Sequence, residues 1–171
     1  MYLIKFIFLC FGAAFIGASL FRLRFEKSLT IFLLSIIVTL YQAYILNIVS
    51  ICSTGIIAGM VVGGVSGITK IIRDKTLKET MKKVFTPLAV SYVITLCIIW
   101  YVVRFNQVRL IDELHLWGAL PKILFFEKGK QQLTDSLLLA YNDYIPGMPL
   151  FFYFLGFING SFKEALLYFV Y

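Results

Sequence analysis

From residue 29 to residue 69 the chain carries no formally charged side chain. A helix needs roughly 20 apolar residues to cross the hydrocarbon core of a bilayer. This run therefore has room for two spans, with a tight turn expected near residues 47–50. Composition points the same way: 60% of residues are hydrophobic and 15% charged, with a mean hydropathy of +0.88. A soluble domain carries about a quarter charged residues. The expectation is an all-α, polytopic helical membrane protein, with about five transmembrane helices plus a partial sixth and one external helical loop.

The remaining spans follow from the same count. A first apolar run covers residues 2–20; more apolar spans follow it, so it reads as a retained span and not as a cleaved leader. A fourth is expected over residues 84–103, and a short one over residues 150–158 after Pro146, Gly147 and Pro149. A final apolar run over residues 165–171 is too short to cross a bilayer, which suggests a half-helix or, with more weight, a fragment of a longer protein. Three regions result: a four-helix transmembrane part over residues 1–103, an amphiphilic external loop over 104–145, and a re-entry into the membrane over 146–171.

Net charge is +7, which in a soluble protein would suggest nucleic acid. Here the basic residues flank apolar runs, so orientation in the membrane is the simpler reading, and no nucleic-acid partner is expected. Arg22, Arg24 and Lys27 follow the first span; Lys70, Arg73, Lys75, Lys78, Lys82 and Lys83 follow the third. The positive-inside bias puts both groups in the cytoplasm and residues 104–145 on the extracytoplasmic side. Lys5, Arg104 and Arg109 pull weakly the other way. Cys10, Cys52 and Cys97 all lie in apolar runs without a C-x-x-C pair, as small hydrophobes do.

Gly55, Gly59, Gly63 and Gly67 recur every four residues on the third span. Small residues at that spacing let another helix come close. Internal packing is the plainer use of the stripe, and an interface with a helix of another chain is the alternative. The nearby "GGVSGITK" lacks the spacing of a phosphate-binding loop, and no strand precedes it.

The polar chemistry is concentrated in "LIDELHLWGALPKILF", residues 110–125. It holds Asp112, Glu113, Trp117, Lys122 and the chain's single histidine, His115. On a helix, Asp112, His115 and Ala119 fall near one stripe, with Lys122 the least certain member because Pro121 intervenes. A carboxylate at a membrane surface can accept a proton from a hydroxyl or hold a divalent cation against a phosphate. A neighbouring Lys can neutralise phosphate charge. The plain alternative is a charged juxtamembrane segment with interfacial aromatics. A second cluster, "YNDYIPGMPLF", returns the chain to the membrane and carries Asp143 and Tyr144. Pro149 there suits the first turn of the following helix.

In this order the two clusters resemble a branch of the bacterial polytopic glycosyltransferases of the GT-C superfamily. The matching stretches are Asp112-Glu113, His115, Trp117-Gly118, Pro121-Lys122 and Asp143-Tyr144-Ile145-Pro146-Gly147, followed by "NGSFKEALLY"; together they span about a third of the chain. The resemblance implies transfer of a sugar from a polyprenyl-phosphate-linked donor at the outer face of the bacterial cytoplasmic membrane. It implies catalytic roles for Asp112 and Glu113, which would also hold a divalent cation if one is used. It implies donor or acceptor contacts for His115, Trp117, Lys122, Asp143 and Tyr144. Two departures stand out: Ile145 replaces the first of two usual prolines, and such enzymes have about eight or more spans. The competing expectation is a non-catalytic membrane protein that assembles with a partner through helix packing. Spans two to four contain no ionisable Asp, Glu, Lys, Arg or His between residues 29 and 69 or between 84 and 103, which argues against ion or proton coupling.

Overall fold

The computed structural model describes residues 2–103, 119–126 and 147–162. The chain is an all-α helical membrane protein. Among the described residues seven helices follow in order: α1 (Tyr2–Phe21), α2 (Phe25–Ile45), α3 (Val49–Asp74), α4 (Leu77–Val84), α5 (Pro87–Val103), α6 (Ala119–Phe126) and α7 (Gly147–Asn159). Three of these, α1 to α3, are long and apolar enough to cross a membrane singly. The helices α4 and α5 form a pair bent by 47°, and α7 is a shorter apolar helix. At about 1.5 Å per residue, the 26 residues of α3 reach roughly 39 Å, beyond a hydrocarbon core of about 30 Å. Its last turns, with Lys70 and Arg73, are the charged part of the helix.

Three tight helix ends make the early connections short. Arg22, Asn47 and Lys75 all take positive φ (58°, 56° and 52°), the left-handed conformation that terminates helices. After α1 the N–H of Leu23 donates to the carbonyl of Gly17 at 3.0 Å, a six-residue closure that satisfies one of the last carbonyls of the helix. Between α2 and α3 only Leu46, Asn47 and Ile48 intervene, which forces two apolar helices back on one another. Asn47 tolerates the left-handed region better than most residues, because its short amide bonds locally.

The chain divides into two compact units, residues 1–35 with 55–98 and residues 36–54 with 99–171. In the first, α1 is the hub. Of its apolar window 39% is buried, against 11% for α3. From residue 10 onward the buried face of α1 is built from small residues, Cys10, Ala13, Ala14, Ala18 and Ser19. Gly17 lies directly against Ser28 of α2, with no room for a side chain. An aromatic group closes the other side: Phe11 and Phe25 rings sit 5.3 Å apart, Phe11 and Phe85 5.6 Å, and Phe25 and Tyr92 5.8 Å. Cys10 Sγ lies 3.7 Å from the Tyr92 hydroxyl, and all three cysteines are free.

In the second unit α6 packs on α7. Leu150 through Leu155 are all buried, so α7 is enclosed on every face through these turns. A helix apolar all round and buried all round belongs to the interior of its unit. Leu124 and Pro121 are the buried positions of α6. The Asn159 amide donates to the Leu155 carbonyl at 2.7 Å near the end of α7.

Candidate functional site

Of the residues singled out by the sequence, Asp112, Glu113, His115, Trp117, Asp143 and Tyr144 lie outside the described residues, as does the final apolar run. Lys122 is described. It projects from α6 at the surface, next in sequence to buried Pro121 and two residues before buried Leu124. Pro121 falls in the first turn of α6, where its missing N–H costs the helix nothing. The helices that follow the two polar clusters meet each other. Phe125 of α6 sits over Gly156 of α7, where an added Cβ would lie 3.2 Å from the Phe125 ring. The ring of Phe125 is also 6.0 Å from that of Phe162, just beyond α7. Each cluster thus leads directly into one member of a packed helix pair.

The four glycines of α3 divide into two pairs. Gly63 lies against Ile16, where a Cβ would approach to 3.2 Å, and Gly67 lies directly against Ser19. Gly55 and Gly59 have open space where a side chain would stand. The helical period explains the division. A four-residue step turns about 400°, so the stripe drifts about 40° per glycine and about 120° from Gly55 to Gly67. One straight neighbour cannot follow it across that angle.

A second polar site lies where the basic residues gather, and it belongs wholly to the first unit. The Lys70 ammonium donates to the carbonyl of Leu20 at 2.8 Å, placing a cation on the C-terminal end of α1. The Thr86 hydroxyl donates to Glu26 Oε1 at 2.8 Å and accepts the N–H of Ala89 at 3.1 Å. Thr86 is therefore the N-cap of α5, with Pro87 in the first helical position, and the same hydroxyl ties the start of α5 to the start of α2. Glu26 in the first turn of α2 is also where a carboxylate best complements the helix dipole.

Beside this tie is an open pocket of about 480 Å³. Arg24, Lys82 and Lys83 line it together with Glu26 and Glu79. Phe85, Thr86 and Pro87 complete the wall. Among the described residues the one salt bridge is Arg73 to Asp74, at 3.0 Å, so the three cations of the pocket are held in ion pairs by neither of its carboxylates. The helix α4 that supplies Glu79, Lys82 and Lys83 is amphipathic, with Thr80 and Val84 buried. Nothing in the described residues groups three His, Cys, Asp or Glu side chains at metal-binding distance.

The sequence reading treated residues 70–83 as a charged loop and ran the next span from residue 84. The signals that separate α4 from α5 were present in the pattern: Thr86-Pro87 is a cap followed by a first-turn proline. Thr80 and Val84 at a spacing of four mark the buried side of α4. What no local pattern contains is the pairing of Thr86 with Glu26 across 60 residues.

Thr86→Val removes both hydroxyl bonds and keeps the shape. The loss of the cap alone is worth about 1 kcal/mol. A lowered thermal midpoint of the purified protein in detergent is expected, with Thr86→Ser close to unchanged.

Comparison with protein families, with characterised proteins and with solved structures found no match to this chain.

Proposed function

We propose that this chain forms part of a membrane glycosyltransferase that moves a sugar from a polyprenyl-phosphate-linked donor, at the outer face of the bacterial cytoplasmic membrane. The observation that carries the reading is the packing of α6 on α7. It joins the helix that follows Asp112, Glu113, His115 and Trp117 to the helix that follows Asp143 and Tyr144. Two polar clusters 30 residues apart in sequence then share one support, which is what a site assembled from both requires.

In this reading Asp112 takes the proton of the acceptor hydroxyl, or holds a divalent cation against the donor phosphate, with Glu113 assisting. The acceptor oxygen attacks the anomeric carbon, the bond from that carbon to the phosphate oxygen breaks, and the polyprenyl phosphate leaves. Lys122 offsets the negative charge on that leaving phosphate. His115, Trp117, Asp143 and Tyr144 shape the sugar and acceptor pocket. A base contributes roughly 10²–10⁴-fold to such a step. Asp112→Asn should lower transfer by that order, measured with lipid-linked sugar in membranes, and leave insertion unchanged. A rate near that of the unaltered protein would remove Asp112 from this role.

The open space at Gly55 and Gly59 supports a second reading, a non-catalytic subunit whose α3 seats a helix of another membrane protein. It predicts that Gly55→Leu with Gly59→Leu abolishes co-purification with that partner while the thermal midpoint holds. Gly67→Leu, which forces a side chain against Ser19, should instead lower the midpoint by the equivalent of about 1–3 kcal/mol. Under this reading Asp112→Asn leaves the complex intact.

A further inference from the structure

We infer that the pocket between α2, α4 and α5 binds the phosphate headgroup of an anionic phospholipid. Its volume of about 480 Å³ lies within the roughly 300–1,000 Å³ usual for small-molecule sites. Three cations, Arg24, Lys82 and Lys83, face it without a salt bridge to either of its carboxylates. Glu26, the carboxylate nearest the helix ends, already accepts the Thr86 hydroxyl at 2.8 Å. Three cations against two carboxylates leave the lining with one positive charge in excess. That excess is reinforced by Lys27, Lys75 and Lys78 on the same end of the unit, where the described acid Asp74 is taken by Arg73.

The surroundings select a lipid over a free anion. Phe85 lines the pocket and is 61% exposed. Beyond it the apolar helix α5 presents Leu88, Ile94 and Ile98, each more than half exposed. A molecule with its phosphate among Arg24, Lys82 and Lys83 would lay its acyl chains on that apolar surface without leaving the site. The helix α4 has the make-up of a segment that lies in the headgroup layer. Its polar side carries Lys78, Glu79, Lys82 and Lys83, while Leu77 and Met81 are exposed apolar residues. Basic pockets at the ends of membrane helices, next to an anionic leaflet, are where such headgroups are held.

The test is lipid retention by the purified protein. The protein is reconstituted in vesicles of phosphatidylcholine with phosphatidylglycerol, re-extracted in mild detergent, and the phosphatidylglycerol that remains bound is counted per chain. The Arg24→Gln/Lys82→Gln variant removes two charges from the pocket. The Lys75→Gln/Lys78→Gln variant removes two charges that do not line it. Each basic residue near an anionic surface is worth about fivefold in affinity. Roughly 25-fold weaker retention is expected for the pocket variant, and a clearly smaller loss for the other. The charge-preserving Arg24→Lys/Lys82→Arg variant should retain the lipid, which separates loss of the site from loss of the fold. Equal losses in both Gln variants would reduce the effect to diffuse surface charge and overturn the site. So would equal retention of phosphatidylethanolamine, or full displacement by excess inorganic phosphate, because each would remove the anionic lipid as the occupant.

Discussion

The first unit depends on how closely other helices can approach α1. Inside a bilayer, lipid tails are as apolar as leucine, so helices gain little from merely burying apolar area; they associate by close contact and by hydrogen bonds. The α1 helix meets that requirement with small residues. Gly17 admits Ser28 of α2 on one side, and Ser19 and Ile16 meet Gly67 and Gly63 of α3 on another. Ala13, Ala14 and Ala18 keep the rest of the buried face low. The hydrogen bonds at the basic end then fix the register of what has come close. Lys70 holds the end of α3 to the end of α1, and Thr86 holds the start of α5 to the start of α2.

These contacts leave distinct chemistry at the margins of each unit. In the first, the short connections after α1 and α3 bring Arg24 and the α4 lysines to one pocket. In the second, α7 is buried through Leu155 and packs against α6, and these two helices directly follow the two polar clusters in sequence. The basic end and the acidic clusters are separated in sequence by α5, whose 17 residues are close to the shortest that cross a bilayer.

Much of the helical architecture was legible in the sequence because it rests on local apolar runs. The uncharged stretch from residue 29 to 69 has room for two spans with a turn near residues 47–50, and the chain turns at Asn47. The break between α4 and α5 was harder, since Val84 and Phe85 extend the apolar run up to Thr86-Pro87 and conceal the boundary. The glycine stripe was visible as a pattern, but its use was not. A period of four on a helix of 3.6 residues per turn spreads Gly55 and Gly67 to different faces, and only the position of α1 decides which pair is covered. The pocket was least legible, because Arg24 and Glu26 join Glu79, Lys82 and Lys83 only through tertiary contact. Of the candidate transferase residues, Lys122 alone falls among the described residues, on the exposed side of α6.

The positive-inside bias predicts that residues 70–83 face the cytoplasm and residues 104–145 the opposite side. Single cysteines at Lys78 and Lys128, in a background with Cys10, Cys52 and Cys97 replaced by Ala, would be exposed in intact cells to a thiol reagent that cannot cross the membrane. The cysteine at position 128 should be labelled directly and the one at position 78 only after permeabilisation. Labelling of both from the same side, or in the reverse order, would contradict that orientation.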